Sequence, residues 1–172
     1  MSLTRSPEPP VAVDVTAACT AALVDVAENS FFAFVVPTDA DQFAAGTDRL
    51  AQAGGLAWLT ARIEFAGPFC GAIELDLPVV LAESLRASFL GLEPDEHAGV
   101  PPLSDSVGEF VNQVCGMWLT TTCHDQRFDL QPPTVVERPA GWRPPAPDAR
   151  RVVTYEVNDL PLRLVVDLVT EG

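Results

Sequence analysis

Four residues have types and spacing that suit chemistry on another molecule's surface: Asp105-x3-Glu109-x2-Asn112-x3-Gly116. At about 100° per residue they fall within about 60° of one another on a helix. One carboxylate and one amide, about a turn apart, can pair with a cation and hold a water. An amide suits a water because it donates and accepts without changing charge. Glycine inside a helix costs roughly 1 kcal/mol relative to alanine. Gly116 therefore implies a positional reason: a flat place for a large partner, or close packing against another helix. Solvation alone also selects Glu and Asn on an exposed helix face.

The element that must carry these residues is an amphipathic helix over 104–123. Ser104 or Asp105 is its expected cap, with acidic residues in the first turns. Val107, Phe110, Val111, Val114 and Trp118 form a core-facing stripe opposite the polar ridge. Ahead of it, residues 1–12 form a Pro-rich tail, expected to be disordered. Residues 13–172 are expected to make a single domain. Asp14 caps a long helix predicted over Val15–Phe34 and stopped by Pro37. A looser helix is expected from Gln42 to Ala53.

Leu59, Ala61, Ile63 and Phe65 alternate with polar residues, and Phe69–Leu77 alternates again with Glu74 and Asp76 outward. That pattern predicts a hairpin with one buried face. Pro78 and Gly91 bracket a helix with Leu81, Leu85 and Phe89 on one side. Glu93–Leu103 is an acidic, Pro-containing linker. Thr134–Glu137 is a short strand, and Pro139–Pro147 excludes regular structure, leaving Trp142 to fold back on the core or sit at an interface. Arg151–Val157 and Leu162–Val169 are strands joined by a turn at Asn158–Pro161. The fold class expected is α+β, a largely antiparallel sheet with the two long helices packed on one face.

Composition removes several functions. The chain has 172 residues, 24 acidic and 10 basic, for a net charge of −14. All ten basic residues are arginine. Such a balance argues against nucleic acid and anionic membranes as partners. The absence of lysine excludes Schiff-base chemistry, the phosphate-loop lysine and the kinase lysine. It also excludes an ordinary receiver domain, which needs a lysine beside its phosphorylated aspartate. No apolar run has the length of a membrane span, and the first residues lack a secretion signal, so the expected location is cytoplasmic. Cys19, Cys70, Cys115 and Cys123 show no paired spacing and read as reduced, buried small hydrophobes. Cys123-His124-Asp125 with His97 is a poor zinc pattern, because adjacent ligands rarely converge. No Gly-x-Ser-x-Gly elbow is present.

The ridge Asp105-x3-Glu109-x2-Asn112-x3-Gly116 resembles the signature of the CheC/CheX/FliY family of response-regulator phosphatases. Pro132-Pro133-Thr134-Val135-Val136 is similar to the stretch that follows the motif helix in CheX-like proteins. The likeness covers roughly residues 14–169. The element order suggests a loose internal duplication, in which Asp25, Glu28 and Phe32 of the first long helix take the places of Glu109, Asn112 and Gly116. The first copy thus has no motif, and the chain matches the one-site, CheX-like form. The resemblance implies hydrolysis of the aspartyl phosphate of a CheY-like receiver, in chemotaxis or related two-component signalling. Asn112 would orient the water and Glu109 would clamp the receiver's lysine, both as catalytic residues. Asp105 and Gly116 would shape the partner contact.

The same resemblance implies no cofactor or metal of the chain's own, with Mg2+ supplied by the receiver. A phosphorylated, metal-loaded receiver also suits the acidic ridge better than a bare one. CheX-like relatives are dimers, and the β-prone Leu162–Val169, taken as an uncovered edge, predicts a homodimer by strand or loop exchange. The rival reading is a non-catalytic interaction module that binds a receiver or another signalling partner.

Overall fold

A computed structural model describes residues 14–54, 57–93, 99–145 and 151–169. The expected tail over 1–12 lies outside the described residues, as do 94–98 of the acidic linker and 146–147 of the Pro-rich loop. The elements are α1 (Val15–Ser30), β1 (Val35–Thr38), α2 (Ala40–Gln52), β2 (Trp58–Ala66), β3 (Cys70–Pro78) and α3 (Val79–Leu90). They continue with α4 (Leu103–Thr122), β4 (Asp129–Leu130), β5 (Thr134–Arg138), β6 (Arg151–Val157) and β7 (Leu160–Val169). The seven strands form one antiparallel sheet in the order β1-β6-β7-β3-β2-β4, with β5 also pairing β2.

One face of the sheet carries the core. Leu59, Ala61, Ile63 and Phe65 of β2 and Ile73, Leu75 and Leu77 of β3 are buried with Leu162, Leu164 and Val166 of β7. On them sit α1 and α4, through Cys19, Leu23 and Val26 on one helix and Val107, Phe110, Val111, Val114 and Trp118 on the other. The expected stripe of the motif helix is buried in full, and the α+β architecture is the one expected. Phe31 stacks on Phe89 with centroids 4.6 Å apart and meets Phe110 edge-on at 4.8 Å, tying α1, α3 and α4 together.

Several local expectations need correction. Helix α1 ends at Ser30 rather than Phe34. Phe32 takes a left-handed φ of 51°, and the Ala33 N–H folds back onto the Ala27 carbonyl at 2.9 Å. Burying Phe31 against two other rings outweighs continuing the helix. The segment before Pro37 becomes edge strand β1. Helix α4 starts at Leu103, with Pro102 as its N-cap and no side-chain cap, so Ser104 and Asp105 lie inside the first turn. Pro102 is already extended at φ −51° and ψ 146°, and its carbonyl accepts from the Asp105 N–H at 3.0 Å. The turn between β6 and β7 is only Asn158-Asp159, both at positive φ, and Leu160 and Pro161 already belong to β7.

The second face of the sheet is not simply solvated. Asp76, expected outward, is 1% exposed, because Arg163 donates to it at 2.8 Å and Thr60 at 2.7 Å. Helix α2 covers β6 and β7 on this side, capped by a reciprocal Asp39–Gln42 box. Trp142 folds back over Trp58 with ring centroids 6.2 Å apart, and Arg138 lies 5.0 Å over its ring. Cys70 is exposed, unlike the other three cysteines. Most consequential for assembly, β7 lies between β6 and β3. A strand with both ladders filled offers no edge, so the uncovered edge on which a homodimer was expected is absent, and that expectation is left with its other ground, the family resemblance.

Candidate functional site

Helix α4 presents its polar side to solvent between β5 on one flank and α1 on the other. Asp105 is exposed, and Glu109, Asn112 and Gly116 are half-buried. The four residues predicted from spacing therefore do share one accessible side of one helix. Glu109 Oε1 accepts from Gln113 Nε2 at 2.8 Å, an i,i+4 contact that orients the carboxylate and leaves its second oxygen unengaged. No hydrogen bond to a described residue engages the Asn112 amide. A half-buried amide with open donor and acceptor capacity is equipped to hold a water or a partner group.

The structure removes one of the two readings of Gly116. A Cβ added there would meet nothing within 4 Å, so the residue is not needed for packing against α1. It instead keeps a low place in the surface, where a groove of about 280 Å³ runs toward Asp25, Val26 and Ser30 of α1, with Met117 alongside. A second concavity, of about 360 Å³, opens beyond Gly116 at the end of α4 and is lined by Cys123, His124, Arg127 and Phe128 among others. A third, of about 300 Å³, lies on the other flank between Asp105, Glu109, Pro133 and Val135.

The electrostatics are one-sided. Together α1 and α4 carry Asp25, Glu28, Asp105 and Glu109 and no basic side chain. Asp105 lies in the first turn of α4, where the positive end of the helix dipole favours a carboxylate. Behind the ridge the thiols of Cys19 and Cys115 are pushed up to about 12 by burial, which removes them as nucleophiles at neutral pH. Burial likewise raises Tyr155 to about 12, although the Thr20 hydroxyl bonds to it at 2.7 Å. His124 lies 3.4 Å from Asp125, both well exposed, while Cys123 is buried. Among the described residues no three His, Cys, Asp or Glu side chains come together in a way that could hold a metal ion.

Spacing alone did not single out Gln113, Met117 or the contact between α4 and the turn before β5. Gln113 was within reach of sequence reasoning, since Glu and Gln four apart on a helix are neighbours. The exposure of Met117 and the place of Pro133 depend on how β5 and α1 flank the helix.

Comparison with known proteins adds the following. A family model described as "Chemotaxis phosphatase CheX" matches residues 59–152, which include the whole ridge and the double-proline segment. No curated protein sequence matches the chain. Among solved structures, the chemotaxis protein CheX from Vibrio vulnificus is 16% identical, covers 91% of this chain and 97% of its own, and superposes with a TM-score of 0.66. A chemotaxis protein CheX from Desulfovibrio desulfuricans gives the same TM-score at 14% identity, covering 91% of this chain and 100% of its own. A chemotactic CheC-like protein from Shewanella oneidensis gives 0.59 at 18% identity, with 91% and 100% covered. At these identities the structural likeness establishes the fold.

Proposed function

The chain belongs to the family of the chemotaxis phosphatase CheX, and from that premise we propose that it hydrolyses the aspartyl phosphate of a CheY-like response-regulator receiver. The observation that carries this reading is the Asn112 amide. It is uncommitted within the protein, on an accessible ridge that ends in a glycine with open space above it.

An aspartyl phosphate is reactive on its own, and positioning with preorganised electrostatics supplies most of the catalysis of phosphoryl transfer. Asn112 orients a water in line with the phosphorus. The water oxygen bonds to phosphorus as the bond to the aspartyl oxygen breaks, regenerating the receiver's carboxylate and releasing inorganic phosphate. Glu109 takes the receiver's lysine, held in place by Gln113. Asp105 and Gly116 shape the contact. The receiver brings Mg2+, which neutralises phosphoryl charge and lets two acidic surfaces approach. If the chain forms the homodimer expected of CheX-like proteins, the strands free to exchange are β1 and the β4/β5 edge.

The experiment loads candidate receivers with a small phosphodonor and follows loss of phosphate with and without the protein. Faster loss with wild type than with Asn112→Ala, at equal receiver binding, is the expected result. Equal rates with both proteins bound would make the ridge a docking surface and the chain a non-catalytic interaction module.

A further inference from the structure

Among the described residues, three that carry a side chain take a left-handed backbone: Asn158, Asp159 and Phe32. The first two make the tight turn between β6 and β7, where Asn and Asp are ordinary. Phe32 is different. At φ 51° it holds the place just past a helix end that glycine usually takes, as Gly91 does at φ 63° after α3. A Cβ makes this conformation costly, and a bulky aromatic is an outlier there. Burying Phe31 explains the bend of the chain. It does not explain a phenylalanine at 32, whose side chain is 74% exposed and so returns little to the fold.

The place of Phe32 in the molecule supplies a reason. Phe31 meets Phe110 at 4.8 Å, so the end of α1 stands level with the stretch of α4 between Glu109 and Asn112. Just before these rings, Ser30 lines the groove of about 280 Å³ that also takes in Gln113, Gly116 and Met117. Gly116 belongs to the ridge and Gln113 holds Glu109, so groove and ridge are one continuous surface. Met117 is exposed as well, whereas Phe34 and Val36 alternate with the buried Ala33 and Val35 and turn to the other face of the sheet. A molecule seated on the ridge therefore meets an exposed thioether in the groove and an exposed aromatic beyond its end. Helices α1 and α4 offer no cation to attract an acidic partner. Apolar burial is what this surface can add to binding.

We propose that Phe32 is a docking anchor for the receiver, with Met117 as its lesser companion, and that the two cover an apolar side chain beside the receiver's phosphorylated aspartate. The proposal rests on the receiver reading above and adds a determinant of recognition outside the four-residue motif. An aromatic ring brings a large contact area with few rotatable bonds, and a few such residues carry most of the affinity of an interface. Methionine adapts its shape to what it meets. The left-handed backbone turns Phe32 out while Phe31 is buried, so the ring is presented before the partner arrives.

The test uses the full chain and candidate receivers loaded with acetyl phosphate. Phe32→Gly should melt at a higher temperature than wild type, because glycine accepts the left-handed backbone. It should nevertheless bind the receiver about tenfold more weakly, with the loss falling on KM rather than kcat, the reverse of Asn112→Ala. Phe32→Asn, which also tolerates that backbone, should weaken binding alike. Met117→Ala should weaken it by about two- to threefold, and Phe34→Ser, on the other face, should leave it unchanged. A residue with a merely structural role would not give higher stability with weaker binding. Wild-type KM in Phe32→Gly, with Asn112→Ala still slow, would overturn the anchor and leave the phosphatase intact. Sedimentation of the free protein is run alongside. A change of oligomeric state in Phe32→Gly at unchanged KM would assign the ring to a second copy of the chain and equally overturn the anchor. Phe32-dependent binding of a receiver that is not dephosphorylated would sustain the anchor and sink the phosphatase, and binding of no receiver would overturn both.

Discussion

Helices α1 and α4 lie side by side on the same face of the sheet, yet only α4 is built as a ridge. Both hold a carboxylate with an amide four residues on. Asn29 Nδ2 donates to Asp25 Oδ1 at 3.1 Å, as Gln113 donates to Glu109 at 2.8 Å. The oriented carboxylate is therefore common to the two helices and cannot be what distinguishes them. Three residues past the carboxylate, α1 has Glu28 where α4 has Asn112. At the seventh, α1 has already ended and Phe32 stands out at 74% exposure, whereas α4 continues through Gly116. A usable ridge requires an uncommitted amide, a helix long enough to extend beyond it, and no bulk at its end. Helix α1 fails all three.

The largest effect expected from that difference is on turnover. Asn112→Ala should lower it by about two to three powers of ten, the usual cost of losing one preorganised polar group. Glu28→Ala on α1 should leave it within about twofold. Phosphate release measured on both variants decides whether the two helices are functionally unequal. Equal losses would mean that α1 also contributes.

A second break concerns bulk at the end of the ridge. Gly116→Leu should abolish docking of the receiver while the protein stays folded, because the added side chain enters open space. Binding measured by anisotropy, beside a thermal melt, separates that outcome from unfolding. Glu109→Ala should weaken binding and turnover together by roughly tenfold, the scale of one charge-assisted contact, and the same titrations read it.

Alanine at the two glycines of α4 sharpens the point within a single helix. Gly116→Ala should stabilise the fold by about 0.5–1 kcal/mol, the ordinary gain of alanine over an interior helical glycine. Gly108→Ala should gain less or lose stability, since Pro133 must yield to a Cβ 3.2 Å away. Denaturant melts of the two variants should differ in sign or clearly in size.

The last effect bears on stability alone and lies behind both helices. Cys19, Cys115 and Tyr155 are each held at about 12, against ordinary values of 9.0, 9.0 and 10.0. Between those limits the unfolded chain has lost protons that the folded chain keeps. Folded stability should therefore fall as pH rises from about 9 to about 12, by up to about 1.4 kcal/mol per unit for each group fully in that window. Melts at pH 8 and pH 10.5 read the change. Cys19→Ala should reduce the slope.

By itself the sequence determined which residues share the candidate ridge. Helical spacing places Asp105, Glu109, Asn112 and Gly116 on one side because the periodicity of a helix is local, and the apolar stripe opposite them says which side is buried. Alternation marked β2 and β3 for the same reason. Whatever depends on residues distant in sequence was decided by the tertiary structure. The segment Leu162–Val169 reads as an edge from its own residues, but β3 and β6 close both of its sides. Asp76 reads as outward until Arg163, eighty-seven residues away, buries its charge. Gly116 and Gly108 look alike in the chain; one faces open space and the other faces Pro133. Propensity and spacing act over a turn or two, whereas exposure is set by what the rest of the chain brings alongside, and a site is made of both.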